Sequence, residues 1–203
     1  MTTTIIDLGV GNLGNVARAV EHVGGAAEVT SDPGVIGASR RLILPGVGAF
    51  SPPREALRGV IETALRAALA EGAWLLGICV GFQLLFESSE EFGTTDGLSL
   101  LPGRIVRLPD GVPLPHIGWN RLHDLAEHPL LAGLPSEPWV YFVHSFAPDG
   151  ADEVTLARTT HGRSFTSVAG RGRVLGCQFH PERSGPTGLQ ILANFLALGR
   201  GEA

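Results

Sequence analysis

Gly77-Ile78-Cys79-Val80-Gly81 limits what this chain can fold into more than any other stretch. The apolar run Ala73-Trp74-Leu75-Leu76-Gly77-Ile78 leads into it and has the length and composition of a fully buried strand. Beyond Cys79 the apolar period changes, and Val80, Leu84, Leu85 and Ser88 fall on one helical face. The chain therefore reads as strand, sharp turn and helix, with Cys79 at the turn. Strand and helix backbones pass close together at such a corner. Residues without Cβ are needed on either side, and Gly77 and Gly81 stand there. The G-x-C-x-G pattern is the cysteine form of the nucleophile elbow.

This corner does three things for a thiol. It lifts the sulfur to the carboxyl end of a strand. It sets it at a helix N-terminus, whose partial positive charge favours an anion. It aims the Val80 N–H at the place where an attacked carbonyl oxygen becomes negative. Burial in the core is the ordinary fate of a free cysteine, but two glycines at fixed offsets have no role in a plain core strand.

Composition narrows the remaining options. The 203 residues suit one large domain, residues 1–203, and 44% hydrophobic content supplies its core. A net charge of −5 with no basic stripe argues against nucleic acid. No apolar run is long enough to span a membrane. The first residues, Met1-Thr2-Thr3-Thr4-Ile5-Ile6-Asp7, lack the regions of a signal peptide, and two cysteines make no disulfide framework, so a cytoplasmic protein is expected. All 15 basic residues are arginine. That excludes a lysine nucleophile, a Schiff-base cofactor and a Walker-type phosphate loop, and leaves thiol chemistry as the main route.

In chain order, Thr3–Leu8 reads as a strand, Asn15–Val23 as an amphipathic helix, Ala27–Thr30 and Arg40–Leu44 as further strands, and Arg54–Glu71 as a long helix. The long helix carries a stripe of Leu57, Val60, Ile61, Ala64, Leu65, Ala68 and Leu69. Gly9, Gly11 and Gly14 form a G-x-G-x-x-G pattern, but no acidic residue stands cleanly where a dinucleotide ribose needs one. A tight strand-to-helix loop is the plainer reading. Pro45-Gly46-Val47-Gly48-Ala49-Phe50 is a second glycine loop at a strand end, able to present N–H groups to an anion.

Glu87–Gly93 reads as polar loop, and short strands broken by proline and glycine follow it. They are Ile105–Leu108, Trp139–Val143, Val154–Arg158, Ser164–Val168 and Arg173–Phe179, closed by a helix over Leu189–Leu198. The expected architecture is α/β. A doubly wound, mostly parallel central sheet of flavodoxin-like type carries an antiparallel extension.

Phe179-His180-Pro181-Glu182 ends a strongly apolar strand. Sites in open α/β sheets lie outside the carboxyl ends of the strands, so His180 is expected at the same edge as Cys79. Pro181 biases His180 toward an extended backbone, which brings Glu182 beside the ring. Nucleophile, base and orienter are then Cys79, His180 and Glu182. Cys177 reads as a structural core residue; a metal site on Cys177 and His180 lacks a C-x-x-C pair. His22, His123, His128 and His161 read as surface residues.

The elbow Gly77-Ile78-Cys79-Val80-Gly81-Phe82-Gln83 and the later His180-Pro181-Glu182 resemble the class I, or triad, glutamine amidotransferases. Within them, nearly the whole chain is similar to the glutaminase subunits of imidazole glycerol phosphate synthase, of histidine biosynthesis. Pro45–Phe50, Pro115-His116-Ile117-Gly118-Trp119-Asn120, Tyr141-Phe142-Val143-His144-Ser145-Phe146, Gly9-Val10-Gly11-Asn12-Leu13 and Glu182-Arg183-Ser184-Gly185 carry that narrower likeness.

The resemblance implies hydrolysis of L-glutamine to glutamate and ammonia through a Cys79 thioester, with no cofactor. The Val80 N–H and one from Gly46, Val47 or Gly48 would hold the oxyanion. Gln83, Ser145 and Phe146 would line the glutamine pocket. Ammonia would pass to a cyclase subunit of (β/α)8-barrel type in a heterodimer, with Asn12 and Trp119 near the docking face. Val80, Phe82 and Phe146 replace the family's expected Leu, Met and Tyr, and the last change removes a pocket hydroxyl. A glutaminase serving another synthase, a free-standing hydrolase and a non-catalytic subunit are the competing readings. The Pro115–Asn120 segment opposes the first and the intact triad opposes the last.

Overall fold

The computed structural model describes residues 1–199; the tail of the expected 1–203 domain, residues 200–203, lies outside the described residues. The first half runs β1 (Thr2–Ile6), α1 (Leu13–His22), β2 (Ala26–Thr30), α2 (Pro33–Ala38), β3 (Arg41–Gly46), α3 (Ser51–Leu57), α4 (Val60–Ala70), β4 (Trp74–Cys79) and α5 (Val80–Gln83). The second half adds β5 (Ser88–Ser89), β6 (Thr95–Asp96), β7 (Arg104–Arg107), β8 (His116–Arg121), β9 (Trp139–His144), β10 (Phe146–Asp149), β11 (Thr155–His161), β12 (Arg163–Arg171), β13 (Val174–Cys177) and α6 (Gly185–Ala197).

The main sheet has seven strands in the order β2-β1-β3-β4-β13-β12-β11. From β2 to β13 all neighbours are parallel, and β12 and β11 extend the sheet antiparallel. The parallel part follows the flavodoxin-like order, as the sequence led us to expect. Smaller sheets, β10-β7-β5-β6 and the β8-β9 hairpin, build up the carboxyl-edge half.

Both faces of the central strands β3, β4 and β13 are covered, which is why those strands read as apolar runs. Ile5, Ile43, Leu76 and Ile78 pack with Val16 and Val20 of α1 and Ile191, Leu192 and Phe195 of α6. Ile6, Leu42, Leu44 and Leu75 pack with Ile36 of α2, Leu57 of α3 and Leu65 and Ala68 of α4. Burying each large side chain of this kind contributes about 1.5–3 kcal/mol. No helix among the described residues is long and apolar enough to cross a membrane.

Two helices differ from expectation. The long helix over Arg54–Glu71 is two helices, α3 and α4, broken at Gly59 with φ +81°. Its stripe loses Val60, which is 69% exposed beside that break. The helix after Cys79 stops after one turn. The carbonyls of Leu84, Leu85 and Phe86 accept instead from N–H groups of Leu98, Ser99, Leu100 and Leu101, so a returning loop replaces the helical ladder. The G-x-G-x-x-G loop offers no anion cradle: the Gly9 N–H donates to Asp7 Oδ1 at 2.7 Å, and that carboxylate repels phosphate.

Candidate active site

β4 lies between β3, whose last residue Gly46 is in register with Cys79, and β13, which leads to His180. The topology thus sets the glycine loop on one side of the thiol and the histidine on the other. The corner itself is tightly packed. A Cβ on Gly81 would lie 1.8 Å from the Leu44 carbonyl oxygen, one on Gly77 2.7 Å from Phe82 Cα, and one on Gly46 2.7 Å from Gly81 N. Cys79 has φ 54° and ψ −111°, a region that a residue with Cβ enters at a cost of about 1–3 kcal/mol. Strain of this kind marks the residue the corner exists to display.

Glu182 Oε1 accepts from His180 Nδ1 at 2.8 Å. The route differs from the expected extended chain: His180 is extended, with φ −98° and ψ 98°, but Pro181–Arg183 is a 3₁₀ turn that swings the carboxylate back under the ring. With Nδ1 engaged by Glu182, Nε2 is the nitrogen left for Cys79. Nε2 is buried and makes no hydrogen bond of good geometry among the described residues, yet the sulfur is close enough to act on the ring's protonation. Burial alone would lower the His180 pKa; Cys79 and Glu182 together outweigh it and push it up to about 10. The ring is thus held as an imidazolium beside the sulfur.

A cleft of about 270 Å³ opens in front of the sulfur. That is the small end of ligand sites and suits one small metabolite. Cys79, Val80, His180, Val47, Gly48, Gln83, Ser145 and Phe146, all candidates from the sequence, are brought together along its wall. Gly46 lies just behind, opposite Cys79 in the sheet register. Asn12 is exposed at the start of α1, outside the cleft. Trp119 is 53% exposed and lies over Gly185.

Gln83 has a defined orientation. Its Nε2 donates to the Phe146 carbonyl at 3.0 Å and to Gln178 Oε1 at 3.2 Å. Both amide hydrogens are engaged, so Gln83 meets the cleft with its oxygen.

Four lining residues were not among the sequence candidates: Glu91, Pro115, Val143 and His144. Glu91, in the stretch read as polar loop, brings a carboxylate to the cleft while Oε2 accepts from the Phe50 N–H at 2.7 Å. Its only sequence signal was a glutamate before a turn. His144 also lines the cleft and is buried. Of the four histidines read as surface residues, His22 is exposed, whereas His123, His128 and His161 are half-buried. His161 owes its place to stacking on His116, with centroids 4.1 Å apart. Cys177 is fully buried in β13, its thiol pushed up by burial, and its sulfur donates to the Phe179 carbonyl at 3.5 Å.

Residues 4–198 match the family Glutamine amidotransferase class-I. The chain is 49% identical over 193 residues to the imidazole glycerol phosphate synthase subunit HisH of Symbiobacterium thermophilum, covering 94% of this chain and 91% of that protein. It is 45% identical to the HisH subunit of Salinibacter ruber, covering 97% and 94%. Among solved structures, PurLQS from Thermotoga maritima superposes with a TM-score of 0.75 at 19% identity, covering 97% of each chain, which is a likeness of fold.

Proposed function

Since this chain belongs to the class-I glutamine amidotransferase family, and within it to the HisH subunits, we propose that it is the glutaminase subunit of imidazole glycerol phosphate synthase and that Cys79, His180 and Glu182 carry the reaction. The observation that supports this best is the strained Cys79 corner at the mouth of a cleft that His180 also lines, with Glu182 hydrogen-bonded to the ring at 2.8 Å.

The cysteine sulfur, as thiolate, attacks the side-chain amide carbon of glutamine. The carbonyl oxygen becomes an oxyanion, held by the Val80 N–H and one from the Gly46-Val47-Gly48 loop. The C–N bond breaks as His180 gives its proton to the departing nitrogen, which leaves as ammonia. The resulting thioester is attacked by water, whose proton returns to His180, and glutamate leaves with the sulfur restored. Glu182 keeps Nδ1 occupied and Nε2 aimed at the sulfur throughout. Gln83 Oε1 and the Glu91 carboxylate are acceptors suited to the substrate's α-ammonium, and Ser145 and Phe146 form another wall.

Ammonia must reach its acceptor before it becomes ammonium, so a partner is docked over the site. The proposed partner is a cyclase of (β/α)8-barrel type, forming a cytoplasmic heterodimer whose overall activity is that of a lyase. We place its docking face on the exposed side of the β8-β9 hairpin, with Asn12 as a further contact suggested by the family resemblance. Ile117, Trp119 and Trp139 are 60%, 53% and 48% exposed there, and Arg183 lies 4.6 Å over the Tyr141 ring. Tyr141 ties this face to the triad, because its carbonyl accepts from the His180 N–H at 3.0 Å. Residues 1–203 act as one glutaminase domain.

The test is glutamate release by the chain alone, with the cyclase, and with cyclase and nucleotide. The loop glycine Gly48, with φ +82°, permits a peptide rotation that removes an oxyanion donor. The chain alone is therefore expected to be slower by about two to three orders of magnitude. Equal rates in all three would point to a free-standing hydrolase.

A further inference from the structure

The Phe146 carbonyl oxygen takes two donors, Gln83 Nε2 at 3.0 Å and His144 Nδ1 at 2.9 Å. With its proton on Nδ1, a neutral His144 ring has a bare Nε2 that must accept. The atom facing it is His116 Nδ1 at 3.0 Å, so that nitrogen carries the His116 proton. His116 Nε2 must accept in turn, and Asn120 Nδ2 stands 3.2 Å away. The Asn120 amide is fixed independently, since Nδ2 also donates to the Thr160 carbonyl at 3.0 Å and Oδ1 accepts from the Arg121 N–H at 2.8 Å. Constraints from both ends therefore agree on one pair of tautomers.

Both rings are buried, at 5% and 6% exposure. Burial holds His116 at about 4 and His144 at about 3, so both are neutral at physiological pH. His116 is clamped between stacked rings, Phe142 at 4.8 Å and His161 at 4.1 Å. A polar chain with every ring nitrogen partnered specifies one arrangement. His144 lines the cleft but has no ring nitrogen left for a substrate.

We propose that His144 and His116 are positioning residues for the α-ammonium end of glutamine. Through two hydrogen bonds they hold the Phe146 carbonyl, which turns the Gln83 amide so that its oxygen faces the cleft. Without the His144 donor the Phe146 carbonyl is held only by the β10-β7 pairing and by Gln83 itself, so the Gln83 amide is less firmly set and its oxygen is less tightly aimed at the cleft. The inference rests on the glutamine reading of this cleft.

Steady-state glutamate release by the full chain with its cyclase and nucleotide tests it. His144→Phe keeps the ring volume and removes the donor; it should raise KM for glutamine about tenfold, with kcat within about threefold. His144→Asn places an N–H near the former Nδ1 and should bring KM back to within about threefold of wild type, although the link to His116 is gone. A packing role would move neither KM alone nor respond to the asparagine. Unchanged KM in a folded His144→Phe, or asparagine no better than phenylalanine, would overturn the proposal. Should His144→Phe fail to fold, His116→Phe keeps the ring stack and reads the same KM-selective loss at about threefold; an unchanged KM there would count equally against it. A wild-type complex that releases no glutamate would overturn the glutamine reading itself, and the control shows this before any variant is made.

Discussion

His180 and Glu182 are joined at 2.8 Å through Nδ1 and Oε1, with side chains only 6% and 1% exposed. The pair is a buried charge and its counter-charge, and Glu182 Oε2 has no further partner among the described residues. Removing the two members therefore has different consequences. His180→Ala takes away the proton carrier and should lower kcat about 10⁴-fold. It also strands a buried carboxylate, for a loss of about 3–5 kcal/mol. Glu182→Gln keeps a hydrogen-bonding amide under the ring, and about a hundredfold loss in kcat is expected. Turnover and urea midpoints of both variants check the order; Glu182→Gln the worse of the two would give Glu182 a direct part in proton transfer.

The same pair sets a pH dependence. Folding raises the His180 pKa from 6.5 to about 10. Protonation of the ring therefore adds stability that is complete below about pH 6.5 and is lost as pH rises through about 10. The acylation step needs the imidazolium, so kcat/KM should fall along an alkaline limb in that upper range. Glu182→Gln removes the carboxylate and should move the limb to lower pH. A limb that stays in place would mean Glu182 does not hold the proton on His180.

The strain at Cys79 predicts an inverted order of stabilities. At ordinary positions alanine is more favourable than glycine through the unfolded-state entropy. At φ 54° and ψ −111° the Cβ is the greater penalty. Cys79→Gly should be more stable than Cys79→Ala by about 1 kcal/mol, read from denaturant midpoints with both variants inactive. Alanine the more stable would show that the corner is relaxed.

Much of this site was legible because local chemistry fixed it. Gly77 and Gly81 announce a corner where Phe82 Cα and the Leu44 carbonyl leave no room for a Cβ. The Cys79 and His180 strands are unbroken apolar runs because both sheet faces are covered. The illegible parts depend on distant partners. Nothing near Leu85 says that Leu100 and Leu101, far along the chain, will take its carbonyl and end the helix. An isolated Gly59 in a helical stripe is tolerated often enough that only its φ of +81° reveals the break. His144 reaches the cleft through the β8-β9 pairing and Glu91 through a turn tied to the Phe50 N–H, neither of which local periodicity encodes.

Association should depend on the exposed aromatic face. Trp119→Ala removes a large ring, 53% exposed over Gly185, with little effect on the isolated fold. As a central anchor it should weaken cyclase binding by about 2 kcal/mol or more, near thirtyfold in Kd. Titration calorimetry with the cyclase checks this, and unchanged affinity would move the docking face elsewhere.

The most direct test is glutamate release by Cys79→Ala in the cyclase complex, measured beside Cys177→Ala. With Cys79 as nucleophile, the first variant should keep less than about a thousandth of wild-type turnover while remaining folded. The second, whose thiol is buried in β13 away from the cleft, should stay active. A Cys79→Ala complex that still hydrolyses glutamine at an appreciable fraction of the wild-type rate would contradict the account.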